Sequence, residues 1–308
     1  MLADLEPSQP LTDGRVAARQ WLMTEPHAQA PSHDPWAPLV NVFNELADVY
    51  DDVGVEFFGP IAQGLIAALA PAPGERVADM GCGKGAFLIR AARAVGPQGS
   101  ALGVDVSPAM IALTGQMLAD EGLTHAEVRV GDAQEPELAP SAYDVVGSSA
   151  VLFFLPDPRA ALEAWRDALV PGGRIGVSTF GPQDEAWDSV DDVFTPYLHA
   201  AMLEARTNSE RGPFASDAGV ESLLDSAGFA DVRTVVADLA IRFADADQWY
   251  AFSMSHGQRA IWALVPESER VAVRTEAERR LAPAADPGGG YVVHQQVRYT
   301  LGVRPGAS

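Results

Sequence analysis

Val77-Ala78-Asp79-Met80-Gly81-Cys82-Gly83-Lys84-Gly85-Ala86-Phe87 is the stretch that decides the fold. Its apolar run ending in an acid predicts a buried strand, its alternating glycines a tight turn, and the segment from Lys84 to Val95 a helix. Glycine belongs where a ligand must approach the backbone more closely than a Cβ permits.

Outward from this stretch the alternation repeats. Ala101–Val106, Ala126–Val130, Tyr143–Ser149 and Arg174–Phe180 read as further strands. Pro108–Glu121 reads as a helix with Ser107 as its cap and Pro108 at its first position, and another helix surrounds Arg159–Leu169. This pattern predicts a doubly wound, mostly parallel α/β sheet with helices on both faces. Downstream follow a helix over Asp217–Ala227 closed by Gly228, a strand over Asp231–Phe243, a helical stretch over Asp245–Leu281 and a strand over Tyr291–Val303. Upstream, residues 38–72 hold two cap helices, and the proline-rich residues 1–37 read as a flexible arm. Residues 38–308 are thus expected to form one domain.

The chain has 308 residues, 47% of them hydrophobic, which is enough for a substantial core. Its 21 Lys and Arg face 42 Asp and Glu, a net charge of -21 that repels polyanions and argues against nucleic acid as a partner. A single cysteine, Cys82, allows no internal disulfide. No run of 18 or more apolar residues occurs, so no membrane span is expected and the cytoplasm is the expected compartment.

Asp79, Asp105 and Asp132 end three successive strands, at intervals of 26 and 27 residues. In a doubly wound sheet such tips line one crevice. Gly81-x-Gly83-x-x-Ala86 followed by Asp105 also fits a dinucleotide fingerprint, so glycine spacing leaves the cofactor open. Charge separates the candidates: a pyrophosphate would have to settle among carboxylates, whereas a ligand carrying a sulfonium and an ammonium is drawn to them. S-adenosylmethionine (SAM) is therefore favoured, with S-adenosylhomocysteine (SAH) as product, and no metal is expected.

Five segments taken in order, VADMGCGKGAF, GVDVSPAMI, GDAQ, YDVVGSSAVLFFLPDP and LVPGGRIGVST, resemble the class I SAM-dependent methyltransferases, in particular the small-molecule branch of quinone and secondary-metabolite enzymes. The resemblance covers roughly residues 40 to 235. It implies a seven-stranded sheet whose antiparallel last strand inserts beside the fifth. By the same resemblance Asp79 with the Gly81, Gly83 and Gly85 backbone holds the methionine part, Asp105 the ribose hydroxyls, Met110 the adenine face, and Asp132 and Ala133 its amino edge. Ser149 borders the methionine moiety, and Tyr50, in Ala47-x-x-Tyr50-Asp51, closes over the cofactor.

Two insertions, 184–214 and 245–287, depart from the compact family pattern and are read as lids over the acceptor. Removal of the second should then spare cofactor binding, whereas loss of folding would mark it as core. Their aromatics include Trp187 and Trp249, the candidate substrate contacts there, although core packing explains most of the others. Phe153 and Phe154 stand where related sequences often carry a histidine pair, which implies an aromatic floor and an apolar or aromatic acceptor. His256, in the polar break Ser253–Gly257, is the candidate general base; its structural reading is an exposed or core-satisfied imidazole. The expected activity is methyl transfer to oxygen or carbon of a small molecule, with homo-oligomerisation left open. The alternatives are a SAM-binding cyclase or binding module and an NAD-dependent oxidoreductase.

Overall fold

A computed structural model describes residues 37–47, 49–200, 202–203 and 212–306. The arm expected over residues 1–37 lies outside the described residues, except for Ala37, which begins a helix. The strands are β1 (Arg76–Met80), β2 (Ser100–Asp105), β3 (Ala126–Val130), β4 (Tyr143–Ser149), β5 (Leu169–Gln183), β6 (Ala230–Phe243) and β7 (Tyr291–Val303). They form one sheet in the order β3-β2-β1-β4-β5-β7-β6. Strands β1 to β5 pair in parallel, and β7 runs antiparallel between β5 and β6. Strand order reverses between β1 and β4, so a crevice opens there beyond the strand ends.

Helices α1 (Ala37–Leu46) and α2 (Phe58–Leu69) precede β1, and α3 (Leu88–Val95), α4 (Pro108–Asp120) and α5 (Pro158–Ala168) follow β1, β2 and β4. Ser107 caps α4 by accepting from the Met110 N–H at 3.2 Å, and Asp157 caps α5 through the Ala160 N–H at 3.0 Å. Helix α3 begins at Leu88 and not at Lys84, because Gly83 and Gly85 take positive φ of 49° and 78° and keep the turn from winding into a helix. Strand β5 outruns its expected span at both ends, because Leu169 pairs with Tyr143 of β4 and the far end pairs with β7 as far as Gln183 and Gln295.

The insertions contain α6 (Glu185–Asp191), then, after α7 (Asp217–Ser226) and β6, the helices α8 (Ala246–Met254), α9 (Gln258–Leu264) and α10 (Arg270–Leu281). Ser255 and Gly257 divide α8 from α9 within the expected polar break, and Pro266 lies in a second division, between α9 and α10, that was not expected from the sequence. The two insertions bind each other: Gln258 donates to Asp191 at 3.0 Å, Tyr197 to Glu269 at 2.7 Å, and Arg280 to the Ser189 carbonyl at 2.9 Å. Trp249, Phe252, Trp262, Val273 and Leu281 are buried in the same core as Ile61 and Leu65 of α2 and Val293 and Val297 of β7. The insertions are therefore part of the main core. The opposite face of the sheet is covered by α5 and α7 around Trp165, Leu162 and Leu224.

Candidate cofactor and acceptor site

The crevice holds a cavity that opens to solvent, with about 950 Å³ of space once its mouth is included. Its floor is the glycine turn with the ends of β1, β2 and β4. Its other wall comes from Phe43 of α1, from Phe58 at the start of α2, and from Tyr50 and Asp51 in the strap that joins the two helices. Asp79, Gly81, Gly83, Asp105, Met110, Asp132, Ala133, Ser149, Tyr50 and Phe154 all line it.

Asp79 is 1% exposed, and among the described residues its carboxylate oxygens form no well-aligned hydrogen bond, the Leu88 backbone giving only a weak opposing contact. Burial, with Asp105 nearby, pushes its carboxyl well above the usual carboxylate range. A buried orphan carboxylate beside a cavity calls for a cation or donor from a ligand, and an ammonium group supplies both. Asp105 accepts from the Gly83 N–H at 2.8 Å and from the Ser107 N–H at 2.9 Å, so it shapes the turn as well as facing the cavity. Burial raises its carboxyl too, opposed by those backbone donors. Burial beside Asp51 and Asp105 pushes the Tyr50 phenol up, which keeps it protonated.

The three turn glycines serve different ends. A Cβ on Gly81 would lie 2.5 Å from Val151, so the close approach there is to the protein's own side chain. A Cβ on Gly83 would meet nothing within 4 Å; this is the position left open beside the cavity. Gly85 does not reach the cavity, since its turn packs beneath Thr114, whose Cγ2 would lie 2.8 Å from a Cβ.

Four other expected residues also stand away from the cavity wall. Phe153 is one ring behind it, packed between Phe154 at 4.7 Å and Phe180 at 5.5 Å. Trp187 packs against Phe57 and Phe252, and Trp249 is buried against Trp262 inside the insertion core, because both lie on the inward faces of their helices. His256 stacks near Phe57 and Phe252, and its Nδ1 lies 2.6 Å from the Phe252 carbonyl oxygen. Burial lowers its pKa to about 4, so the imidazole is neutral and weakly basic at neutral pH. The general-base assignment of His256 is thus replaced by the structural reading.

Several residues at the site carried no signal in the sequence. Lys84 donates to the Tyr50 carbonyl at 2.8 Å and ties the strap to the turn. Thr114 donates to the Gly83 carbonyl at 2.7 Å from α4. Asn44 accepts from the Ser107 hydroxyl at 2.7 Å and the Ala109 N–H at 3.2 Å, which docks α1 onto the start of α4. Asp51 lines the cavity with its backbone at φ 55°. The bonds of Lys84, Thr114 and Asn44 join segments distant in sequence, so although Lys84 and Asp51 stand within quoted motifs, nothing local announced what they do.

Among known proteins, residues 71–219 match the family described as methyltransferase domain. The nocamycin O-methyltransferase of Saccharothrix syringae is 35% identical over 276 residues, which are 86% of this chain and 98% of that protein. The aklanonic acid methyltransferase of Streptomyces sp. (strain C5) is 36% identical over 54% of this chain and 76% of its own length. Among solved structures, the YcgJ protein of Bacillus superposes with a TM-score of 0.53 at 15% identity, over 80% of this chain and 99% of that one. A Haemonchus contortus phosphoethanolamine N-methyltransferase, solved with SAM, gives 0.55 at 17% identity over 90% and 60%. At such identity the two structures speak for the fold alone.

Proposed function

The chain belongs to the SAM-dependent methyltransferases, and from that premise we propose that it methylates an oxygen of an apolar or aromatic small molecule of secondary metabolism. SAM is its cofactor and SAH the product. The observation that carries the choice of oxygen is the similarity, over nearly the full length of both chains, to a protein named for O-methylation of nocamycin. The apolar wall of Phe43, Phe58 and Phe154 supports an acceptor of that character, and the net charge of -21 supports a small molecule over nucleic acid. Among the described residues no helix is long and apolar enough to cross a membrane.

In this reading Asp79 receives the ammonium group, Asp105 the ribose hydroxyls, Met110 packs on the adenine, and Asp132 and Ala133 meet its polar edge. Bound SAM supplies a methyl group already activated on a positive sulfur. The residues of the chain align the acceptor and exclude water: Tyr50 and Phe58, stacked with centroids 4.8 Å apart, cover the cavity, and Phe154 stands edge-on to Phe43 at 6.0 Å. Among the described residues no histidine lines the cavity. An acidic hydroxyl, such as an enol, phenol or carboxyl that ionises in water, suits such a site because alignment then supplies most of the acceleration. The insertions 184–214 and 245–287 back the aromatic wall through Phe57, and we assign them the acceptor's outer boundary.

The test pairs calorimetry with label transfer. SAM and SAH should bind and NAD should not, and tritium from labelled SAM should enter apolar or aromatic enols, phenols or acids as an ether or ester. NAD binding without SAM binding would overturn the reading.

A further inference from the structure

We propose that Asp51 makes this site prefer the charged methyl donor over the spent product, by holding a carboxylate on the cavity wall where it attracts the sulfonium that SAM carries and SAH lacks. The inference rests on the SAM reading of the cavity and adds to it a residue that sets the order of donor binding and product release.

Asp51 reaches the cavity from the strap between α1 and α2, whereas Asp79, Asp105 and Asp132 reach it from strand ends. Both flanks of the residue are pinned. Before it, the Tyr50 N–H donates to the Leu46 carbonyl at 2.7 Å and the Tyr50 carbonyl accepts from Lys84. After it, the carbonyls of Val53 and Gly54 accept from the Gln248 amide at 3.1 and 3.2 Å. With its neighbours fixed, Asp51 adopts a left-handed backbone, φ 55°, which side-chain-bearing residues other than Asn and Asp rarely take.

The charges around Asp51 leave room for a cation. Its own segment contributes Tyr50 and Asp52, the glycine turn Lys84, α3 the Arg90 guanidinium, and α2 the Phe58 N–H; the rest of the cavity wall adds Asp79, Asp105 and Asp132. Burial outweighs Lys84 and Arg90 and raises the Asp51 carboxyl to about 6. A carboxylate whose charged form is penalised by burial gains most from a ligand that brings positive charge. SAM and SAH share the adenosine, the ammonium and the carboxylate, and differ at the sulfur by one methyl and one positive charge. A carboxylate in the same cavity, under partial screening, therefore acts on the difference between them. Tight donor binding and easy product loss follow from one group.

Calorimetric dissociation constants for SAM and SAH should be measured on the full chain and on Asp51→Asn, at about pH 8 and about pH 5. Asparagine keeps the shape and tolerates the left-handed backbone, and near-ultraviolet circular dichroism verifies the fold. The variant is expected to bind SAM about tenfold more weakly and SAH within about twofold of wild type. The wild-type preference for SAM should shrink on acidification through about pH 6 more than that of the variant, in which only the other carboxylates titrate. Equal weakening of both ligands would make Asp51 merely a structural part of the strap and overturn the proposal, as would an unchanged preference. A wild-type chain that binds neither ligand would instead overturn the SAM reading itself.

Discussion

Asp105 gives one oxygen to the Gly83 N–H and the other to the Ser107 N–H, so its removal strips the turn of two acceptors as well as the cavity of a charge. Asp105→Ala is expected to weaken SAH binding by roughly 2–4 kcal/mol, by calorimetry, and to lower the melting temperature of the free protein. An unchanged dissociation constant would remove it from the site. His256 makes a different prediction. Its folded pKa, about 4, lies below the ordinary 6.5 of the unfolded chain, so the unfolded state takes up the proton first as pH falls. The contribution is complete above pH 6.5 and is lost as pH drops toward 4, by up to about 3 kcal/mol. Denaturant unfolding of His256→Phe should show a flatter pH dependence over that window than wild type, while SAH affinity stays the same.

Elements were legible in the sequence where the signal was local. The run from Val77 to Phe87 carries strand, turn and acid within eleven adjacent positions, and Ser107 with Pro108 announces a helix start without reference to anything distant. The acceptor side was not legible for the converse reason. Trp249 in a helix is apolar whether it faces core or cavity, and only the packing of α8 on α9 decides. Lys84, Thr114 and Asn44 matter through partners 34, 31 and 63 residues away. Gly64 is another such case, since α2 lies so close to β7 that a Cβ there would fall 2.1 Å from the Tyr299 hydroxyl. Alanine should gain about 1 kcal/mol in helix propensity and lose about 1–3 kcal/mol to overpacking against a buried ring. Gly64→Ala is therefore expected to melt lower than wild type in a thermal scan.

At the scale of the molecule, cofactor and fold are linked. SAM at one hundred times its dissociation constant should stabilise the native state by about 2.7 kcal/mol, which raises the melting temperature by roughly 4–5 °C, whereas NAD should leave it unmoved. Replacing 245–287 with a short linker would remove Trp249, Phe252, Trp262, Val265, Val273 and Leu281 from the core that α2 and β7 share. At about 1.5–3 kcal/mol for each large side chain, that loss matches the roughly 5–15 kcal/mol that holds a typical domain together. The shortened chain is expected to lose its near-ultraviolet circular dichroism; retention of native structure and SAH binding would contradict the shared core.

The bonds joining the two insertions bear on how the protein can be inherited and recombined. Segments 184–214 and 245–287 are separated by α7 and β6, so a single crossover can move one without the other. A hybrid that takes only the second from a relative would set a foreign helix against Phe194, which here meets Trp262 edge-on at 4.9 Å, and would forfeit the partners of Asp191, Tyr197 and Ser189. A hybrid that takes residues 184–287 as one block keeps those contacts internal and exchanges α7 and β6 with them. A hybrid that moves 184–287 as one stretch is therefore expected to fold better than one cut between the insertions, provided that its donor also matches the α2 and β7 side chains of the shared core.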